Sequence, residues 1–288
     1  MTRRARAVVV ATALFVATGC NAVGLPTTSV GPATTATPAA PTSTLPPVVD
    51  CPGAGQFGEG GNIAEIDGEG FDGANLGRIS WDATDQCESF NFDFETSEGA
   101  PAISVPDVTV GHLESFQVIR IRMDVAATVV TDQLVETGLV DRLYVVRSLD
   151  GGMFVDLHLT APAAARARVT SEPARLTVDL RPGFVEFTGT ATSDDLVVVL
   201  SPDDGASVPL ATAVSGYART FEANVLTIVT QGGQVVAETD TTAADWAATW
   251  GEFSQELTLP VGSLSLFIGQ ASPQDGSLEG VTLELTAG

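Results

Sequence analysis

The stretch Ser201–Glu238, SPDDGASVPLATAVSGYARTFEANVLTIVTQGGQVVAE, decides how the rest of the chain is read. It holds a turn, a short strand signal from Pro209 to Gly216, and the patch Tyr217–Asn224. A second strand signal follows, then a Gln231-Gly232-Gly233 turn and a third. Runs of about 4–8 residues bounded by Gly, Pro and Asp clusters at this spacing predict an antiparallel sandwich.

Working outward, a length of 288 residues suits two domains and a tail. A hydrophobic share of 44% is ample for packed cores, and 29 glycines with 6% aromatic residues suit β structure with many turns. The net charge is −23 and lysine is absent. Such a chain is repelled by nucleic acid and by anionic headgroups, which excludes a nucleic-acid partner.

The N-terminus supplies another route to a membrane. Arg3, Arg4 and Arg6 form a basic start, and Ala7–Ala17 an apolar run too short to span a bilayer. It ends in Ala17-Thr18-Gly19-Cys20, which resembles a lipoprotein signal peptide cleaved after Gly19 and lipidated at Cys20. Ala17 departs from the Leu, Val or Ile usual at its position. The alternative is an ordinary secretory signal with a cysteine near its end. Residues 1–19 are thus read as the signal peptide, and residues 20–50 as a tether. The tether is rich in Thr, Pro, Ala and Ser and carries no charge before Asp50. It has too little apolar surface to offset chain entropy, so disorder is expected.

With Cys20 lipidated, Cys51 and Cys87 are left as an even pair in an oxidising compartment, which predicts a disulfide. A metal or redox pair fits poorly, because the separation is long and no histidine lies near. Beyond Cys51 the run Gly55–Gly77 is weakly patterned and is read as irregular. Strand signals then recur at Arg78–Trp81 and at Glu88–Phe94, where Phe90, Phe92 and Phe94 alternate with polar residues. Gln117–Val125, Leu143–Arg147, Met153–Thr160 and Ala174–Leu180 continue the series. The expected fold is all-β, with two β-sandwich domains in tandem at residues 51–182 and 183–288.

Two resemblances sharpen this. Ser201–Glu238, with Trp250-Gly251-Glu252-Phe253-Ser254 and Ala271–Ser277 in order, resembles the immunoglobulin-like domain of bacterial spore germination proteins over Phe184–Gly288. The closing run Glu172–Leu180, with Phe90–Phe94 and the hairpin at Gly151-Gly152, resembles an AMIN-like domain of the actinobacterial lipoprotein type over Gly70–Pro182. The second resemblance implies a β-sandwich that directs proteins to peptidoglycan. The first implies an architecture and a location without a shared chemistry.

The charge distribution bears on ligands. Asp50–Ile119 carries one arginine against fourteen acids, and Phe184–Gly288 also one against fourteen. Arg120–Arg181 carries eight of each, so an anionic ligand meets least repulsion there. Arg120, Arg122, Arg147, Arg166 and Arg168 are the candidate contacts; the competing reading pairs each with a neighbouring acid on a solvated face. Arg120 and Arg122 fall on the polar side of their strand, so replacing both is expected to leave stability nearly unchanged. No catalytic constellation is present. His112 is read in a loop and His158 on a polar strand face, while Asp203-Asp204-Gly205 and Gln274-Asp275-Gly276 are read as turns. Trp246, Trp250 and Phe253 are read as inter-sheet core.

The expectation is therefore a non-enzymatic, exported protein, anchored to the outer face of the cell membrane through lipid at Cys20. It needs no cofactor or metal, and binds peptidoglycan or, alternatively, another envelope protein; an unrecognised enzyme is the remaining reading. A Cys20→Ser variant should leave the membrane fraction and incorporate no labelled palmitate. Retention of both by the variant would refute the anchor.

Overall fold

The computed structural model of the protein describes residues 51–84, 86–128 and 130–288; the signal peptide, Cys20 and the tether fall outside the described residues. The first half holds β1 (Gly61–Ile66), β2 (Asn75–Ala83), β3 (Glu88–Glu95), β4 (Val108–Leu113), β5 (Val118–Met123) and β6 (Ala127–Thr128). It continues with β7 (Gln133–Leu134), β8 (Val140–Arg147), β9 (Met153–Leu159), β10 (Ala163–Thr170) and β11 (Arg175–Pro182). The second half holds β12 (Thr192–Ser193), β13 (Val197–Ser201), β14 (Ser207–Val208), β15 (Ala211–Ala218) and β16 (Asn224–Gln231). It ends with β17 (Gln234–Thr242), β18 (Trp250–Thr258), β19 (Gly262–Ala271) and β20 (Leu278–Ala287).

The all-β reading holds. In the first half the sheet β10-β11-β3-β2-β6 packs on β1-β4-β5-β9-β8. Period-2 alternation sends Phe90, Phe92 and Phe94 of β3, and Ile119, Ile121 and Met123 of β5, into the core between them. In the second half β14-β20-β19-β16-β17 packs on β18-β15-β13-β12 over Val225, Phe253, Leu266 and Leu283.

The two sandwiches share a sheet. β18 pairs in parallel with β8 through Trp250↔Val146 and Gly251↔Arg147, which joins the inner layers into one sheet. Leu143 and Val145 of β8 face the first core, so Tyr144 and Val146 face the other side. There they meet Phe154 of β9, Val198 and Leu200 of β13, Tyr217 of β15 and Trp250 in a third buried cluster.

Two local expectations are corrected. Gly55–Gly77 is not wholly irregular, since β1 and the start of β2 lie in it. β1 is a largely exposed edge strand held by pairing with β4, so hydrophobic alternation does not mark it. His112 sits in β4 and not in a loop; it is buried, and its Nδ1 lies 3.2 Å from the Glu59 carbonyl oxygen. β10 carries a weak strand signal, with Ala and Arg from 163 to 168 and β-branched residues only at Val169 and Thr170; eight-position pairing with β11 imposes the extended state.

The expected disulfide joins Cys51 to Cys87, with Cα atoms 5.3 Å apart. It ties the start of the described chain to the connection between β2 and β3. In the chain-entropy picture a closed loop of this length contributes about 3–4 kcal/mol by restricting the unfolded state. Reduction should therefore lower the melting temperature measured by circular dichroism, and an unchanged melt would show that the bridge is not a restraint.

Candidate functional site

The arginines picked from the sequence do not form one site. Arg120 and Asp156 stand opposite each other on β5 and β9, on the face away from the first core. Arg120 donates to both carboxylate oxygens of Asp156, from Nε at 2.8 Å and Nη2 at 2.7 Å, and its guanidinium carbon lies 3.8 Å from the Phe154 ring centroid. The Asp156 side chain has no exposure and that of Arg120 only 15%. The polar strand face read from the sequence is thus covered, and the expectation that Arg120 is exposed is corrected. The cover is the second half, through Tyr217 and Trp250.

His158 lies on the same face and shares a hydrogen bond with the Tyr217 hydroxyl. Burial pushes the His158 imidazole below its usual pKa, against the pull of Asp156 and Asp141, so it is neutral near pH 7. Burial likewise raises the Tyr217 phenol well above its usual range. Tyr144 stacks edge-on to His158 and Trp250, with ring centroids 4.9 and 5.0 Å away. At the rim, Glu252 accepts from the Ser148 hydroxyl at 2.7 Å and from the Leu149 amide at 3.0 Å.

Arg122 stays half exposed and pairs with Asp150 at 2.9 Å, beside an open cleft of about 380 Å³ that Asp107 and Asp124 also line. Arg147 donates to the carbonyls of Ala126 at 2.8 Å and Gly151 at 3.3 Å. Arg166 and Arg168 lie on the outer face of the other sheet and both pair with Asp179 at 2.8 Å. These arginines are therefore divided between the two sheets, and each makes contacts within the chain. Among the described residues, no three His, Cys, Asp or Glu side chains converge.

What lies in the open instead is aromatic. In the Tyr217–Asn224 patch, Tyr217, Ala218, Thr220 and Ala223 are buried, but Phe221 is 49% exposed. Trp246 is 40% exposed, contrary to the core reading, whereas Trp250 and Phe253 are buried as read. The Phe221 and Trp246 rings pack edge to face with centroids 5.6 Å apart.

Both loops that carry these rings are pinned. The Asp245 carboxylate accepts from the amides of Trp246 at 2.6 Å, Ala247 at 2.9 Å and Thr249 at 3.2 Å, and from the Thr249 hydroxyl at 2.9 Å. Although burial raises its pKa, these bonds hold Asp245 below the ordinary range. A Cβ on Gly251 would come within 2.2 Å of the Asp245 amide nitrogen, so only glycine allows this approach. On the other loop the Phe221 amide donates to Gln270 Oε1 at 2.6 Å, and Glu222 and Ala223 adopt left-handed backbone conformations. Non-glycine residues in that region cost about 1–3 kcal/mol each and persist where surrounding contacts hold them. The sequence signals were a lone Phe in a turn and a Trp between strands; their adjacency comes from the fold.

The second half is thus an immunoglobulin-like β-sandwich with an exposed aromatic pair on two fixed loops. Residues 196–277 match the family model described as the immunoglobulin-like domain of bacterial spore germination. The matched segment holds Phe221 and Trp246. No curated protein and no solved structure matches the chain. These comparisons give the AMIN-like resemblance of the first half no support.

Breaking a buried ion pair by removing one partner costs about 3–5 kcal/mol, because the other polar group is left buried and unpaired. Arg120→Gln should therefore lower the unfolding free energy by that order. Arg122→Gln, with an exposed partner, should change stability by less than about 0.5 kcal/mol. Equal effects in urea titrations would contradict the assignment of Arg120 to a buried junction.

Proposed function

We propose that this is a non-enzymatic protein of the cell envelope, tethered through Cys20, that recognises a partner protein with its immunoglobulin-like half. The observation that carries the reading is the exposed Phe221–Trp246 pair. Two large aromatic side chains on restrained loops lose little conformational freedom on binding, and aromatic anchors dominate protein interfaces. The rim of the patch is acidic, with Glu222 exposed beside Phe221 and Asp245 beside Trp246, in a half that carries one arginine against fourteen acids. A basic partner surface with an apolar anchor site complements it. The match of residues 196–277 to a spore germination domain supports a role in an envelope or germination assembly.

Peptidoglycan recognition is the second reading, favoured by the AMIN-like resemblance and the arginines of the first half. Cross-linking from a photoreactive residue at position 222, in cells, separates the two. The expected outcome is one protein adduct in the wild type, lost in a folded Phe221→Ala/Trp246→Ala variant, with affinity for the purified partner weakened at least about tenfold. An adduct unchanged by the double substitution would overturn the adaptor reading. So would an absence of protein adducts together with sedimentation of the wild type on peptidoglycan.

A further inference from the structure

The outer face of the sheet β10-β11-β3-β2 carries two rows of side chains built alike. In one, Arg166 of β10 stands opposite Asp179 of β11, which stands opposite Ser89 of β3. In the other, Arg175 of β11 stands opposite Asp93 of β3, which stands opposite Arg78 of β2. Along β11 the rows are four residues, or roughly 13 Å, apart.

The first row is filled by the chain itself. Arg166 donates from Nε to Asp179 at 2.8 Å, which orients the guanidinium. Its outer nitrogens then donate to main-chain carbonyls: Nη1 to Gly53 at 2.9 Å, Nη2 to Pro52 at 2.7 Å and Cys51 at 3.1 Å. Gly55 accepts more distantly from Nη1, at 3.4 Å, and the Phe57 ring lies over the guanidinium at 4.7 Å. Gly53 at φ +106° and Gly55 at φ +121° occupy backbone conformations closed to most residues. A short Pro/Gly peptide thereby turns several carbonyls onto one arginine.

The second row has the same orienting contact and no such cover. Asp93 accepts from Arg175 Nε at 2.6 Å and from Arg78 Nε at 2.9 Å. Burial raises the Asp93 pKa, but these two hydrogen bonds prevail and keep the carboxyl below its ordinary range, so the arginines remain oriented. Among the described residues, Nη1 and Nη2 of Arg175 and Nη1 of Arg78 have no hydrogen-bond partner. The side chains are 36% and 63% exposed, at the mouth of a cavity of about 420 Å³ whose walls include Phe94, Pro101 and Pro173.

We propose that the Arg78–Asp93–Arg175 row is a docking site for a glycine- and proline-containing peptide segment of a partner protein. Its main-chain carbonyls accept from Arg175 and Arg78 as those of residues 51–55 accept from Arg166. Charge favours this neutral occupant over an anion. Asp93 and Glu95, which also lines the cavity, balance the two arginines, and the whole chain stands at −23. The site is on the first half, on a different sheet from the aromatic pair, so either reading can fail alone.

The probe is a capped, uncharged synthetic peptide, acetyl-Ser-Pro-Gly-Ala-Gly-Gln-Phe-amide, titrated into ¹⁵N-labelled protein. The expected result is a shift of the Arg78 and Arg175 side-chain N–H resonances, saturating at millimolar peptide, about the strength of a few hydrogen bonds in water. Arg78→Gln/Arg175→Gln should weaken binding at least about tenfold; because Asp93 is only 20% exposed and loses both partners, the melting temperature falls as well, and circular dichroism checks that the variant is folded at the titration temperature. Should the double variant fold poorly, Arg78→Gln alone serves, since its side chain is the more exposed. A peptide with alanine at both glycines should bind several-fold more weakly. No shift at about 10 mM peptide, or undiminished binding by the variants, overturns the proposal. The same shift with acetate, and none with the peptide, would make the row an anion site and overturn it equally.

Discussion

The Asp156 carboxyl has no exposure, and the junction between the two sandwiches is arranged around it. A polar group taken out of water must have partners or destabilise the fold by several kcal/mol. Arg120 supplies two donors, Phe154 lies against the guanidinium, and Tyr217 and Trp250 close the site from the other half. Backbone pairing alone would join the halves weakly, because β8 and β18 are opposed at only two positions. The cluster around the ion pair turns that short seam into a buried interface. The ion pair also fixes the register of β5 against β9, since a slip of one residue would turn Arg120 or Asp156 to the opposite face.

Arginine is used throughout the first half as a fastener. Arg166, Arg168 and Arg175 each place Nε on an aspartate of a neighbouring strand. The planar fork then leaves outer nitrogens aimed in a fixed direction, which lysine's rotating ammonium cannot do. At Arg166 they hold the lead-in peptide, with the disulfide at Cys51 closing the same segment. At Arg147 they hold the carbonyls of Ala126 and Gly151.

Strand existence was legible at Phe90–Phe94 and Ile119–Met123, because a long run of large apolar residues at every second position leaves a period-2 record; at β4, where only Val108 and Val110 alternate before Gly111 and His112, the record was too short. It was illegible at β1 and β10, which are edge strands held by pairing with β4 and β11. The candidate site was less legible. Alternation separates the two faces of β5 and β9, but both kinds of face look polar-tolerant when a buried arginine has a buried aspartate as partner. Arg120 and Arg122 are two residues apart on one strand; one faces Asp156 under the second half and the other faces Asp150 at the rim. Nothing local distinguishes them.

By itself the sequence determined the all-β class, the immunoglobulin-like second half and the Cys51–Cys87 bridge. Turn chemistry, alternation and cysteine parity act over a few residues or through a simple count, so they survive in the linear text. The tertiary structure decided that the two sandwiches share a sheet, that Tyr217 is core, and that Phe221 meets Trp246. It also decided that Arg78 and Arg175, 97 positions apart, flank one aspartate. Such pairings depend on which strand edges and faces are covered by distant chain, and that is settled only when the cores close.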